Sequence, residues 1–168
     1  MKQKAIICDI DGVLLDTSHI FDRIEKAGLT GDAKWEFFDR HANDHDVEVD
    51  YRVIEILEAF ANQGFKIIFL TARTRGIEKQ TRAKIQLEIG RYAEQIFDFE
   101  LMMRPIGNTM PADRLKDSWL EMIRIRYDVL MAIDDETANC EMFAKNKVLT
   151  TQVIKRKRAE SESGSVLV

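Results

Sequence analysis

Two acids one residue apart, Asp9 and Asp11, end the apolar run in the stretch AIICDIDG, with Gly12 directly behind them. A second acid pair, Asp134 and Asp135, ends the run VLMAI. Between them lie Thr71 and Arg73, which follow IIFL, and Lys116 in DRLKDSWLEMI. Clustered carboxylates cannot all stay ionised unless a cation compensates them. An oxygen-only donor set, without histidine or cysteine, suits a hard ion, most naturally Mg²⁺, which keeps waters and engages phosphate. A lysine and a hydroxyl beside that ion suit the oxygens of a phosphoryl group, whose transfer is governed by positioning and charge neutralisation. An aspartate held there can attack phosphorus and form an aspartyl-phosphate. A carboxyl two residues on can protonate the leaving oxygen and then activate water. Gly12 allows a sharp backbone turn beside the substrate.

Such a collection does chemistry only if the chain brings it together. Short apolar runs alternate with longer amphipathic segments. Strands are predicted at 4–10, 65–73, 99–105, 128–136 and 147–154, and helices at 50–63, 76–92, 113–126 and 137–146. Strict strand–helix alternation predicts an α/β fold: a parallel sheet of about five strands, with helices on both faces. In such sheets ligands sit outside the carboxyl ends of the strands, where strand order reverses. Asp9, Asp11, Thr71, Arg73, Asp134 and Asp135 all follow strands, and Lys116 opens a helix, so all converge on one sheet edge. Residues 16–46 interrupt the alternation and are too long for an ordinary connection. They carry helical patterns of their own and are read as a small cap inserted after the first strand. The expected organisation is a core over 1–154 with that cap, and a basic then polar tail over 155–168.

Four stretches together carry a resemblance. IICDIDGVL, IIFLTAR, Lys116 in DRLKDSWLEMI and LMAIDDET resemble, in order, the four motifs of the haloacid dehalogenase superfamily of phosphatases. LMMRPIGNTMPADRLK and AIDDETANCEMF are similar to stretches of the 3′-phosphatase domain of phage and bacterial polynucleotide kinase/phosphatases. The resemblance implies a Rossmann-like core of that superfamily. It implies that Asp9 is nucleophile and Mg²⁺ ligand, and that Asp11 is the general acid/base and lends the metal its backbone carbonyl. Thr71 and Lys116 would hold phosphoryl oxygens, with Lys116 also settling the charge on Asp9. Asp134 would complete the metal site, with Asp135 as ligand or support, and Arg73 would touch the substrate. The chain departs from the family pattern at Val13, where Thr is commoner, and at Thr71-Ala72, where the phage enzymes have Ser-Gly. Its acid before the motif lysine is shifted to Asp113, whose role is not carried over. No G-x-x-x-x-G-K-[ST] kinase motif occurs, so a stand-alone phosphatase is expected rather than a bifunctional end-healing enzyme, unless a separate kinase or ligase partner supplies the other steps.

Each residue also has a plainer reading. Asp134 and Asp135 could cap the next helix, Lys116 could be a surface lysine, and only the ordered set promotes them. His41 and His45 are read as a solvated loop rather than a metal site. Trp35, Phe37 and Phe38 are read first as cap core and second as a base-stacking surface. The run Lys155 to Arg158 is read as solvated charge.

The 168 residues carry a net charge of -4, so no global basic field advertises a nucleic-acid binder. Two distant cysteines point to a reducing, cytoplasmic setting, and no apolar run is long enough for a membrane span or a signal peptide. A phosphoacceptor signalling domain is rejected because its lysine would follow its last acid, whereas Lys116 precedes Asp134. Intact Asp9 and Asp11 argue against a non-catalytic binding protein. The function expected is a Mg²⁺-dependent phosphomonoesterase, foremost a polynucleotide 3′-phosphatase. The alternatives are a nucleoside monophosphate phosphatase or another small-molecule phosphatase.

Overall fold

The computed structural model describes residues 1–95 and 97–154; the basic run at 155–158 and the rest of the tail lie outside them. Five strands form one parallel sheet: β1 (Gln3–Cys8), β4 (Lys66–Thr74), β5 (Phe99–Arg104), β6 (Tyr127–Asp134) and β7 (Leu149–Gln152), in the spatial order β5-β4-β1-β6-β7. The chain leaves the central β1, fills one side with β4 and β5, and then crosses to the other side of β1 for β6. Strand order therefore reverses between β1 and β6, where the carboxyl ends leave a crevice.

Period-two alternation sorts the strands into two cores. Ile6 and Cys8 of β1, with Ile67 and Phe69 of β4, face one layer with Ile54 and Leu57 of α3 (Tyr51–Asn62) and Ile85 and Ile89 of α4 (Glu78–Tyr92). Ala5 and Ile7, with Ile68 and Leu70, face the other, against α5 (Ala112–Arg126) and α6 (Thr137–Lys145). Every central strand is thus apolar on both faces, which is why these runs read as continuous rather than alternating. Asp50 caps α3 by accepting from the Arg52 N–H, and Gly64 follows that helix with φ +83°.

The segment between β1 and α3 holds α1 (Ser18–Lys26) and α2 (Gly31–His41), framed by a two-stranded antiparallel ribbon, β2 (Leu15–Asp16) with β3 (Glu48–Val49). The ribbon has only two residues per strand, too few for a periodicity to register. The cap docks firmly, since Ile20, Ile24, Phe38 and Ala42 are buried within the first core. Phe21 stacks on Phe38 at 5.1 Å between ring centroids.

Candidate active site

The ends of β1 and β6 are tied together by the Asp9 N–H, which donates to the Ile133 carbonyl at 2.9 Å. This places Asp9 beside Asp134 at the crevice. Asp9 is buried, and its Oδ1 accepts from the Ile10 N–H at 2.8 Å. Lys116 comes up from α5 between the two acids, with Nζ 3.0 Å from Asp9 Oδ2 and 2.7 Å from Asp134 Oδ2. It lies on the apolar face of α5 with Trp119, Leu120 and Ile123, and only 1 % of its surface is exposed. A buried lysine on an apolar helical stripe requires a partner at its tip. That placement was itself a signal in the sequence: helical spacing puts residue 116 with the core positions.

Asp134 is held from behind. Its Oδ1 accepts from the Glu136 N–H at 3.0 Å and from Asn139 Nδ2 at 2.9 Å. Asn139, in the first turns of α6, was not singled out from sequence, since an Asn inside a helix has no pattern of its own. Asp135 completes the acid group: carboxylate oxygens of Asp9, Asp134 and Asp135 all lie within 4.8 Å of one another. The carboxyl of Asp135 rests against Gly12, where an added Cβ would meet Asp135 Oδ2 at 1.8 Å; Gly12 also has φ +75°. Only glycine meets both demands there.

The electrostatics follow from one cation among three acids. Burial pushes the Asp9 carboxyl up to about 8, against the pull of Lys116 and with help from Asp134 and Asp11. Burial and then Asp134 push Asp135 up to about 6. Burial alone would lower Lys116, but Asp9 and Asp134 outweigh it and hold the ammonium charged. The cluster thus carries more negative charge than one lysine balances. Three oxygen donors in reach of one another, short of positive charge, fit a hard divalent cation.

Thr71, two residues past the last β4 position paired with β1, is fully buried, and its Oγ1 accepts from the Arg73 N–H at 3.1 Å. Its own O–H remains to donate. The Asp11 carboxylate turns away from the acid group to Arg73, with Nη2–Oδ1 at 2.7 Å and Nε–Oδ2 at 2.9 Å. The resemblance implies that Arg73 touches substrate; the structure uses its five N–H groups differently. The remaining ones point to Asn43 Oδ1 at 2.8 Å, the Ala42 carbonyl at 3.0 Å and Thr81 Oγ1 at 3.3 Å. All five therefore face protein acceptors, and Arg73 sits as a buried bridge between Asp11, cap and α4. Asn43, Asp39 and Thr81 were missed in the sequence because the insertion carries no motif. Asp39 Oδ2 accepts from Thr74 Oγ1 at 2.7 Å, a second tie between cap and β4.

Of the cap aromatics, Phe38 is buried beneath Arg73, Phe37 packs against the core, and Trp35 is 52 % exposed. His41 pairs with Asp44 at 2.7 Å, while His45 is exposed. Neither histidine joins the acid group formed among the described residues. No helix is long and apolar enough to cross a membrane, among the described residues.

This parallel α/β sheet with a small cap and an acid-lined crevice is the architecture of haloacid dehalogenase-type phosphatases, and solved structures bear it out. A structure described as the Pnkp1/Rnl/Hen1 complex matches with TM-score 0.64 and 23% identity, over 90% of this chain and 46% of that one. The class C acid phosphatase from Bacillus anthracis matches with TM-score 0.63 and 18% identity, over 88% and 62%. A haloacid dehalogenase family enzyme from Bacteroides thetaiotaomicron, a magnesium complex, matches with TM-score 0.55 and 15% identity, over 97% and 98%. Residues 3–157 match the family described as "Polynucleotide kinase PNKP phosphatase domain", and the chain belongs to that family of phosphatases. It spans about half the length of the first structural relative. No curated protein sequence matches it significantly.

Proposed function

We propose that this phosphatase removes 3′-phosphates from nucleic acid ends through an aspartyl-phosphate, with Mg²⁺ as cofactor. The observation that carries the reading is the buried Asp9, paired with Lys116 and grouped with Asp134 and Asp135 at the sheet crevice. Membership of the polynucleotide kinase phosphatase family supports the substrate class. So does a structural relative described as an RNA repair complex.

Asp9, Asp134 and Asp135, with the backbone carbonyl of Asp11, would hold the ion, which when bound neutralises carboxylates and phosphoryl oxygens alike. A carboxylate oxygen of Asp9 attacks phosphorus as the bond to the leaving 3′-oxygen breaks. Asp11, entering the step protonated, gives that oxygen its proton, and Arg73 pairs with the carboxylate that results. It then takes a proton from the water that attacks the aspartyl-phosphate, which releases phosphate and restores Asp9. Lys116 steadies Asp9 and meets the charge gathering on the phosphoryl oxygens, and the Thr71 hydroxyl donates to one of them. Kinase and ligase work falls to other polypeptides, or to other parts of a longer one, in a cytoplasmic setting.

The test is a phosphate-release panel with Mg²⁺, comparing 3′-phosphorylated oligonucleotides, 5′- and 3′-monophosphates and sugar phosphates. The 3′-phosphorylated ends should give the highest kcat/KM. Asp9→Asn and EDTA should each lower it by about a thousandfold or more, the scale of losing a covalent nucleophile. Turnover that survives in Asp9→Asn would remove the mechanism.

A further inference from the structure

A groove of about 560 Å³ runs between α2 and α4, lined by Asp39, Asn43, Ile77, Gln80, Ala83 and Leu87 among others. We propose that it seats the terminal nucleosides of the strand whose 3′-phosphate enters the crevice; the inference rests on the phosphatase reading above and names where the leaving group lies.

Position is the first argument. Displacement at phosphorus places the attacking and leaving oxygens on opposite sides. Asp9 stands on the side of β6 and Lys116, whereas the Asp11 carboxylate is turned the other way, towards Arg73. The leaving oxygen belongs next to Asp11, so the body of the leaving group extends towards α2 and α4. One wall of the groove lies in that direction, where Asn43 shares the Arg73 guanidinium with Asp11. Arg73, which grips Asp11, donates to its wall at Asn43, and Thr74 donates to its wall at Asp39. Burial raises the Asp39 carboxyl, and the charge of Asp11 adds to the effect, so the two sites are close enough to feel each other.

Size and lining are the second argument. The volume falls within the roughly 300–1,000 Å³ of sites that enclose whole organic ligands, far more than a bare phosphoryl group needs. Ile77, Ala83 and Leu87 offer apolar surface, and Gln80 and Asn43 offer amides, a pairing that suits base faces and base edges. Arg40, exposed on the cap side of the groove, matches an internucleotide phosphate. Trp35 lies one turn before Asp39 on α2 and is 52 % exposed, with Lys34 over its ring and Phe38 against its edge, so it stands next to the cap wall of the groove.

The experiment measures release from 3′-phosphorylated mono-, di- and trinucleotides and from p-nitrophenyl phosphate. For the native protein, kcat/KM should rise at least tenfold from mono- to trinucleotide, through KM. Ala83→Trp, which fills the groove from an exposed position, and Leu87→Asp, which charges it, should each raise KM for the trinucleotide at least tenfold more than for p-nitrophenyl phosphate. Circular dichroism and Tm confirm that both variants fold. A native protein without length dependence, or variants that weaken both substrates equally, would overturn the groove assignment and leave the phosphatase reading standing. Absence of release from every ester would remove both.

Discussion

Asp11 and Arg73, 62 residues apart, meet in a two-pronged ion pair in which the guanidinium side chain has no exposed surface and the carboxylate keeps 22 %. The same guanidinium holds the cap through Ala42 and Asn43, so the orientation of Asp11, the acid proposed to transfer the proton, and the docking of the cap share one residue.

Arg73→Ala should therefore act on both. Removing one partner of a buried pair leaves the other charge uncompensated, at about 3 kcal/mol of stability. Activity should fall at least a hundredfold in kcat, with KM changed less than tenfold, because the arginine aims Asp11 rather than gripping substrate. Arg73→Lys should recover little, since an ammonium cannot reproduce a planar fork. Chemical denaturation and steady-state kinetics on the same samples check this. A large KM effect with kcat intact would show that Arg73 binds substrate directly.

Lys116 is the counter-charge for Asp9 and Asp134. Lys116→Met keeps most of the volume and removes the cation. Stability in EDTA at pH 8 should drop by about 3–5 kcal/mol, the scale for a broken buried pair. Lowering the pH should reduce that loss, because Asp9 then takes up a proton. Catalysis should remain below a thousandth of native at any pH. Thermal melts across pH, with and without EDTA, read the first two effects.

Gly12→Ala introduces a Cβ that would lie 1.8 Å from Asp135 Oδ2 on a backbone with φ +75°. Asp135 must move, and the proposed metal site loses one of its donors. Displaced supporting carboxylates typically weaken metal affinity by about 10–100-fold. Calorimetric titration of Mg²⁺ into the variant should show a loss in that range, and unaltered affinity would remove Asp135 from the metal site.

The metal-free protein should lose stability as pH rises from about 4 to about 8. Asp9 and Asp135 have folded values raised to about 8 and about 6 from 3.8, so over that window the unfolded chain binds fewer protons than the fold does. The destabilisation is absent below 3.8 and complete above 8. Saturating Mg²⁺ should flatten the profile, and its binding should release protons, more at pH 6 than at pH 9. Paired Tm curves with and without the ion, and proton release in buffers of different ionisation heat, test both signs.

The types of residue at this site, and the edge they occupy, were determined by the sequence itself. Apolar runs with period-two sorting make strands, the alternation with amphipathic helices makes the sheet parallel, and acids placed after those runs must emerge at its carboxyl edge. These are local or topological constraints and need no coordinates. Partnership was decided only by tertiary structure. Whether Arg73 faces a substrate or Asp11 depends on where Ala42, Asn43 and Thr81 come to rest. Whether Lys116 lies in water or between Asp9 and Asp134 depends on how α5 packs under the sheet. The groove exists only because α2 docks beside α4. A side chain's partner is chosen by desolvation and reach across elements distant in sequence, and no spacing rule along one chain encodes that choice.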